Sequence, residues 1–417
     1  MSNKKIVILG GGISGLTVAW RLQELGFQTE VCESNEFVGG LAGTVRPENG
    51  RYCLDFGPHF FITQKQEIVE RITDLLADDV VSFERSAQLY VQGRFLDYPL
   101  SAKNVLLNFP LSDAIASIIT FVWAQLKSAG RYLIRIDSKK VDFGEWATAN
   151  FGNHLAKIFF RPYTEGFWKI PCENLSSEII PTSTRLNFMK SLKMMFLRKV
   201  SGPAKSLTER ELVLPLRYPK RGYGVIAETI ADRLLNMGGL IRQNARAIKV
   251  KLLEDGKYLV EVSQGDNVIE LNADHVVSTI PIPNLVNMKS PESPLIVRQS
   301  ADKLGYLSLI VLYMVTTKKD LLDTSYVYYL DRPYHRLAEM DKFCDSLFPA
   351  GENMLAVEFS CHRGDEIWNM NEQELLKERF KSAVSSAVKA ISENYNLEIK
   401  FGNNTNCLLY TSDAADE

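Results

Sequence analysis

The sequence predicts an α/β fold in which a domain that begins with a βαβ unit is interleaved with a second, α+β domain. Three observations support this prediction. The first forty residues alternate between apolar strands and one amphipathic helix, with glycines at the turns. A helical stretch over about 101–200 separates them from further strands that begin near residue 240. The chain has 417 residues, more than one hydrophobic core usually organises, so two domains are expected.

The first element is a strand, Ile6 to Leu9, that runs into a glycine-rich turn and then a helical pattern. A second apolar strand follows and ends at Glu33. In this arrangement the first glycine permits a tight turn, the second lets backbone approach a pyrophosphate, and the third lets helix and strand pack closely. The helix N-terminus offers unpaired N–H groups, and the acid can accept hydrogen bonds from a ribose diol. The predicted dinucleotide site consists of Gly10, Gly12, Ile13, Ser14, Gly15 and Glu33.

Hydrophobic periodicity and turn residues also predict the helices and strands of the rest of the chain. A helix is predicted over 64–76, and a hairpin over 88–97 with its turn at Gln92-Gly93. Another helix is predicted over 225–237, ended by Gly238 and Gly239. Strands are predicted over 240–243, 247–253, 258–263, 274–281, 307–315, 325–330 and 354–359, and a final amphipathic helix over 371–394.

Composition limits the classes of function. A net charge of −2 argues against a general nucleic-acid or anionic-membrane surface, so no nucleic-acid partner is expected. The six cysteines are scattered without a C-x-x-C pair, which favours a reduced, cytoplasmic protein. The five histidines are equally dispersed, and no metal is predicted. The N-terminal apolar run breaks into glycines after four residues and therefore reads as a core strand rather than a signal peptide.

A second glycine pair, Gly39-Gly40, and the segment from Gly57 to Thr63 resemble the flavin-containing amine oxidase superfamily, and in particular its protoporphyrinogen-oxidase-like and UDP-galactopyranose-mutase-like branches. The resemblance implies FAD as the cofactor. Many relatives carry an arginine where this chain has Leu41 or Gly43, and Arg46 is a candidate substitute. His59 is the candidate polar group beside the flavin ring, with a core histidine as the alternative. The further cofactor residues that the resemblance implies are Gly39, Gly40, Leu41, Gly57, Pro58, Ala247 (near the adenine) and Thr279.

The segment from Phe159 to Trp168 is similar to an aromatic element that these two branches share. In the mutases, residues matching Phe159 and Tyr163 sandwich the uridine, and the residue matching Trp168 lies near the sugar. The alternative is that aromatic residues at this helical spacing are core. Glu165 belongs to the same segment, but it could equally be a carboxylate on a helix face without a role in substrate binding. A mutase would also need a diphosphate clamp, for which the candidates are Arg185, Arg217 and Arg221.

The resemblance leaves three functions open. The favoured one is an FAD-dependent oxidoreductase that accepts hydride from a small-molecule substrate onto flavin N5, because the mutase pattern around its arginines is not cleanly reproduced. The absence of a nucleophile–His–Asp motif agrees with this mechanism. The second is a mutase acting on a nucleotide sugar without net redox change. The third is a flavin-fold protein that binds without catalysis. The substrate and the oligomeric state are not predicted.

The domain boundaries follow from this order. An FAD-binding domain is predicted over 1–90 and 215–290, and a substrate domain over 91–214 and 291–406. The last eleven residues, 407–417, resemble a translated sequencing adapter and correspond to no expected element, so the native sequence is expected to diverge near Asn406. In that case the segment that returns to the FAD domain in relatives would be missing.

One apolar stretch bears on membrane contact. Residues 114–126 are apolar almost all round but too short to span a bilayer. The favoured reading is a buried helix of the second domain. The alternative is a helix that lies on a membrane surface or lines a greasy substrate entrance.

Overall fold

The computed structural model describes residues 4–61, 63, 65–84, 86–98, 109–133, 141–179, 216–330, 332, 334–369 and 407–412. The predicted helix over 371–394, Arg185 and the basic stretch over 189–199 lie outside these residues. The strands are β1 (Lys5–Leu9), β2 (Gln28–Cys32), β3 (Thr44–Val45), β4 (Leu54–Asp55), β5 (Val80–Phe83), β6 (Ala87–Val91), β7 (Arg94–Asp97), β8 (Leu216–Pro219), β9 (Leu240–Arg242), β10 (Ala245–Leu252), β11 (Tyr258–Gln264), β12 (Asn267–Ala273), β13 (His275–Ser278), β14 (Lys289–Ser290), β15 (Leu307–Thr316), β16 (Tyr326–Tyr329), β17 (Arg336–Glu339), β18 (Asn353–His362) and β19 (Cys407–Ser412).

The helices of seven residues or more are α1 (Ile13–Glu24), α2 (Gln66–Leu76), α3 (Leu111–Leu133), α4 (Phe143–Phe151), α5 (Arg161–Trp168), α6 (Val225–Asn236), α7 (Ile282–Met288) and α8 (Leu295–Ala301). Shorter helical turns lie at Gly40–Ala42, Pro47–Gly50, Asn153–Leu155, Cys172–Asn174, Ser177–Ile179, Met340–Lys342, Asp345–Leu347 and Glu366–Asn369, and a π-helical turn lies at Ala156–Phe160.

A four-stranded parallel sheet in the order β13-β1-β2-β9 carries the N-terminal βαβ unit. Its strands are apolar because both faces are covered. On one side, Ile6, Ile8 and Val31 pack with Leu234 of α6. On the other, β1 packs against the sheet β12-β11-β10-β14, in which β14 is parallel to β10 and the other pairs are antiparallel. The predicted α/β class and its interleaved arrangement are confirmed, since α6 and β9 return to this sheet after the helical insertion.

The larger sheet has the order β19-β15-β18-β17-β16-β6-β7. It is mixed, because β6 pairs parallel to β16 while the other pairs are antiparallel. The predicted hairpin is present, with positive φ at both Gln92 and Gly93, as a two-residue turn between twisted strands requires. The predicted domain boundary after residue 90 falls inside β6, and this strand bonds within the large sheet from Ala87 onward.

The segment Cys407–Ser412 pairs antiparallel with β15 at the edge of the large sheet. The expectation that it forms no regular element is therefore wrong for these six residues. Apolar and polar residues do not alternate in this segment as in a typical strand. The edge strand β15, however, has unpaired backbone N–H and C=O groups that can pair with another extended segment whatever its side chains. The adapter origin of the segment stays a prediction.

Helix α3 is not buried all round, contrary to the favoured reading of its sequence. Small residues, Ala114, Ser117 and Ala124, face the protein. Large apolar side chains face outward, among them Ile119 at 62% and Leu126 at 62% exposure. Across the described parts of the chain, no helix has the length and apolar content needed to cross a membrane.

Candidate functional site

The turn between β1 and α1 can be formed only by glycines at two positions. Gly10 has φ +99°, a left-handed conformation that side chains other than glycine rarely adopt. A Cβ at Gly15 would lie 2.0 Å from the Gly10 carbonyl oxygen and 2.9 Å from Thr279 Oγ1. Thr279 in turn donates a hydrogen bond to the Leu9 carbonyl at 2.9 Å. These contacts bring the start of α1 against the ends of β1 and β13.

The N-terminus of α1 is open to an anion. Its N-cap is Gly12, which makes no side-chain cap, and its first turn contains no acidic residue. The first N–H groups of the helix, at Ile13 and Ser14, therefore point outward beside the positive end of the helix dipole. This is the arrangement that a pyrophosphate requires.

Glu33 is buried, at 2% exposure, and fixed by backbone donors. Its carboxylate accepts hydrogen bonds from the Gly11 amide at 2.6 Å and the Asn35 amide at 2.8 Å. The Ser34 hydroxyl donates to it as well, at 3.3 Å, so of about four acceptor positions one remains for a ribose hydroxyl. Glu33 lines a cleft of about 330 Å³, and Ala247 lies on its wall at an irregularity in the pairing of β10 with β11.

The second glycine pair is seated on the first glycine-rich turn. Gly39 and Gly40 have φ values of +117° and +58°, and the Gly39 amide donates to the Gly11 carbonyl at 2.9 Å. Leu41 follows at 43% exposure. The expectation that Arg46 replaces the missing arginine is not supported, because its guanidinium is paired with Glu228 at 2.6 Å.

The segment Gly57-Pro58-His59 connects the glycine-rich loops to a second cleft. Arg336 Nη2 donates to the Pro58 carbonyl at 3.3 Å, and a Cβ at Gly57 would lie 3.7 Å from Glu358 Oε1. The Nδ1 atom of His59 is buried and has no hydrogen-bond partner within the protein. Burial lowers the pKa of His59, and the charge of Arg336 lowers it further, so this imidazole is neutral at pH 7.

The second cleft, which we call the aromatic cleft, has a volume of about 540 Å³. Its described lining includes the aromatic side chains Tyr163, Phe167, Trp168, Tyr306 and Tyr328, and the polar side chains Ser308, His335, Arg336, Glu358 and Ser360. It opens between α5 and the face of the large sheet formed by β15, β17 and β18.

The predicted substrate residues are only partly brought together. Tyr163 and Trp168 line the aromatic cleft. Phe159 is not in its lining and packs in a core cluster with Leu89 and Phe109. Glu165 accepts a hydrogen bond from the Cys172 amide at 3.0 Å, which fits the helix-face alternative.

The predicted arginine clamp is not assembled among the described residues. Arg221 is 66% exposed and pairs with Asp79 at 2.8 Å on the surface. The backbone of Arg217 pairs with Phe61 and Ser82. Arg185 lies outside the described residues.

Sequence reasoning missed a buried ion pair in the aromatic cleft. Arg336 of β17 and Glu358 of β18 lie directly opposite each other, with Arg336 Nε donating to Glu358 Oε1 at 2.7 Å. Burial alone would raise the pKa of Glu358, but Arg336 and a hydrogen bond from His335 outweigh it and lower that pKa to about 2. No local pattern marks this pair, because strand register brings together residues 22 positions apart.

The amino-acid sequence of this chain matches a known family. A family model described as flavin containing amine oxidoreductase matches residues 13–400. The chain belongs to the flavin-containing amine oxidoreductase family. Membership in this family supports an enzyme that uses a flavin cofactor.

Relatives within this flavoprotein family include both oxidases and mutases. A coproporphyrinogen III oxidase of Propionibacterium freudenreichii is 24% identical over 209 residues, which are 49% of this chain and 39% of that protein. A probable UDP-galactopyranose mutase of Klebsiella pneumoniae is 24% identical over 239 residues, which are 56% of this chain and 54% of that protein. The chain thus spans about half the length of these relatives or less. The crystal structure of a reduced UDP-galactopyranose mutase shares the fold with a TM-score of 0.73 at 22% identity, covering 99% of this chain and 83% of that one.

Proposed function

We propose that this protein binds FAD and oxidises a small organic substrate by accepting hydride at flavin N5. The observation that carries the proposal is the contact between the Gly57-Pro58-His59 segment and the aromatic cleft. It connects the dinucleotide site to a substrate-sized space through Arg336 and Pro58. Flavoproteins transfer hydride by holding a C–H bond against the flavin ring, so the two sites must adjoin.

The residues at the dinucleotide end fit FAD. The uncapped start of α1 suits a pyrophosphate, and the oriented carboxylate of Glu33 suits a ribose. Ala247 on the wall of the same cleft suits an adenine, whose flat face needs a small side chain beside it. Bound FAD would supply the N5 atom that accepts hydride.

The residues of the aromatic cleft would bind and orient the substrate. Tyr163, Trp168 and Tyr328 offer ring faces and edges that exclude water from a bound molecule. His59 lies next to Pro58, whose carbonyl contacts Arg336 of this cleft, and its neutral ring has an unpartnered Nδ1 that can accept a hydrogen bond. These groups orient the substrate and exclude water, and hydride transfer requires both from the protein.

The charge balance of the aromatic cleft favours an oxidoreductase over a mutase. Among the described lining residues, Arg336 is the one lysine or arginine, and Glu358 neutralises it at 2.5 Å. A nucleotide-sugar diphosphate would need cations that are not already paired. A mutase remains the second candidate, because Tyr163 and Trp168 lie together in the cleft as that reading predicts.

Anaerobic titration tests the proposal. Candidate porphyrinogens, amines and polyenes are added to the purified flavoprotein while flavin absorbance is followed. Bleaching by one of them supports hydride transfer. Isomerisation of a UDP-sugar after chemical reduction of the flavin, with no bleaching by any candidate, would reverse the order of the two functions.

A matched pair of variants links bleaching to the aromatic cleft. Gly305 lies at the exposed rim of the cleft, and a Cβ there meets no atom within 4 Å. We expect Gly305→Phe to narrow the entrance and slow bleaching at least tenfold. The control is Gly166→Phe, a glycine of α5 with equally open space that is not part of the cleft lining.

A further inference from the structure

Three buried side chains on the wall of the aromatic cleft form a continuous hydrogen-bonded chain. Ser360 Oγ lies 3.1 Å from His335 Nδ1, and His335 Nε2 lies 3.1 Å from Glu358 Oε2. Ser360 and Glu358 are two residues apart on β18, so both side chains project from the same face of the sheet. None of the three is more than 6% exposed, and all three line the cleft.

Glu358 fixes the direction of the hydrogen bond between itself and His335. Its carboxylate also accepts Arg336 Nε at 2.7 Å, and a carboxylate paired with a buried guanidinium is ionised. An ionised carboxylate can only accept hydrogen bonds. His335 Nε2 must therefore carry the proton in this contact.

The direction of the hydrogen bond between Ser360 and His335 follows from the charge of His335. Burial lowers the pKa of His335; the hydrogen bond to Glu358 opposes this, and the neighbouring charges of Arg336 and Lys169 reinforce it, leaving the pKa lowered. A neutral imidazole has one N–H group, and Nε2 already holds it. His335 Nδ1 is thus an acceptor, and the Ser360 hydroxyl donates to it.

We propose that Ser360 Oγ acts as a hydrogen-bond acceptor in the aromatic cleft and selects substrates that carry an N–H or O–H donor. Its own proton is committed to His335, so only oxygen lone pairs face a bound molecule. The inference rests on the proposed function and narrows it to donor-bearing substrates, such as amines, pyrroles or alcohols. Pure hydrocarbons gain nothing from this group, and acceptor-only groups meet lone pairs.

Calorimetric titration with two isosteric probes tests this polarity. Indole carries an N–H donor, whereas benzofuran has an oxygen acceptor in the same ring position. We expect the flavin-loaded full-length protein to bind indole about tenfold more tightly than benzofuran. Equal affinities, or tighter binding of benzofuran, would overturn the inference.

Two variants change the polarity in different ways. Ser360→Ala removes the acceptor, so the preference for indole should fall to twofold or less. His335→Phe frees the Ser360 hydroxyl to donate, so benzofuran should gain affinity relative to indole while Glu358 keeps Arg336. The matched control, Ser117→Ala, removes a buried serine hydroxyl of α3 outside the cleft and should leave the tenfold ratio unchanged. A tenfold ratio that survives in Ser360→Ala would exclude Ser360 as the acceptor.

The result is separable from the proposed function because binding of the probes needs no turnover. If a substrate bleaches the flavin but indole and benzofuran bind equally well, the inference about Ser360 is wrong and the proposed oxidation stands. If indole binds more tightly than benzofuran but no candidate substrate bleaches the flavin, the proposed oxidation is wrong and the inference about Ser360 stands.

Discussion

At the scale of single residues, Gly15 gives the sharpest test of the dinucleotide site. A Cβ there would overlap the Gly10 carbonyl oxygen, and this oxygen belongs to backbone that cannot move without opening the β1–α1 turn. We expect Gly15→Ala to be purified with little or no flavin. The flavin-to-protein absorbance ratio measures this.

Gly166→Ala is the control for that experiment. Gly166 lies within α5, and no atom would lie within 4 Å of its Cβ. Alanine is favoured over glycine in a helix by about 1 kcal/mol. This variant should therefore keep its flavin and unfold at a slightly higher temperature. Equal flavin content in both variants would argue against the role assigned to Gly15.

Sequence predicted the glycine turn well and the aromatic cleft poorly, for one physical reason. The roles of Gly10, Gly15 and Glu33 follow from neighbours within about one βαβ unit, so a short motif encodes them. The Arg336–Glu358 pair depends on the register between two strands, which no local pattern records. Phe159 and Tyr163 share a helical spacing, but the π-helical turn Ala156–Phe160 intervenes, and only Tyr163 reaches the cleft.

At the scale of elements, α3 exposes an apolar arc that suits a lipid surface. Leu111, Ile115, Ile119, Val122 and Leu126 recur at intervals of three and four residues along its outer side. Lys127 lies 5.3 Å from the ring of Trp123 at the edge of this arc, a pairing of aromatic and cation typical of membrane interfaces. Further along the sequence come Arg131, Arg135, Lys139 and Lys140, against a lone Asp137.

We expect the protein to sediment with phosphatidylcholine vesicles that contain phosphatidylserine. Replacing Ile119 and Leu126 together by glutamate should weaken this binding at least tenfold, because burial of each side chain contributes about 1.5–3 kcal/mol. The double substitution should not lower the unfolding temperature, since both side chains are already in solvent.

A matched pair on α8 separates membrane binding from a general effect of charge. Leu295 and Ile296 are as exposed, at 61% and 70%, and lie on a different element. Their replacement by glutamate should leave sedimentation unchanged. If wild type stays in the supernatant, or if both double variants sediment equally, α3 is not the contact.

At the scale of the whole molecule, Asp55 connects the glycine-rich loops to the large sheet. Its carboxylate accepts hydrogen bonds from Thr44 Oγ1 at 2.6 Å, from the Tyr218 hydroxyl and from the Tyr223 amide at 3.0 Å. Its carbonyl accepts the hydroxyl of Tyr313, on β15, at 2.7 Å. Thr44 follows the second glycine pair, and Gly57 lies two residues after Asp55, so one residue holds both of these glycine-containing loops against the large sheet.

This connection should make stability depend on pH. Burial raises the pKa of Asp55 to about 6, even though its hydrogen-bond donors act in the opposite direction. A carboxyl whose pKa is higher in the folded protein favours folding below its unfolded pKa, near 3.8, and loses that contribution as pH rises through 6. Asparagine cannot ionise. The free energy of unfolding of Asp55→Asn, relative to wild type, should therefore rise by about 2.4 kcal/mol between pH 4 and pH 7.

Urea unfolding of both proteins across this pH range measures the difference. A difference that is constant or falls with pH would mean that the Asp55 carboxylate is stabilised by Thr44, Tyr218 and Tyr223 more than burial penalises it. The sign of this pH dependence therefore decides between two possibilities. Either ionisation of Asp55 lowers the stability of the protein, or the ionised carboxylate stabilises the contact between the glycine-rich loops and the large sheet.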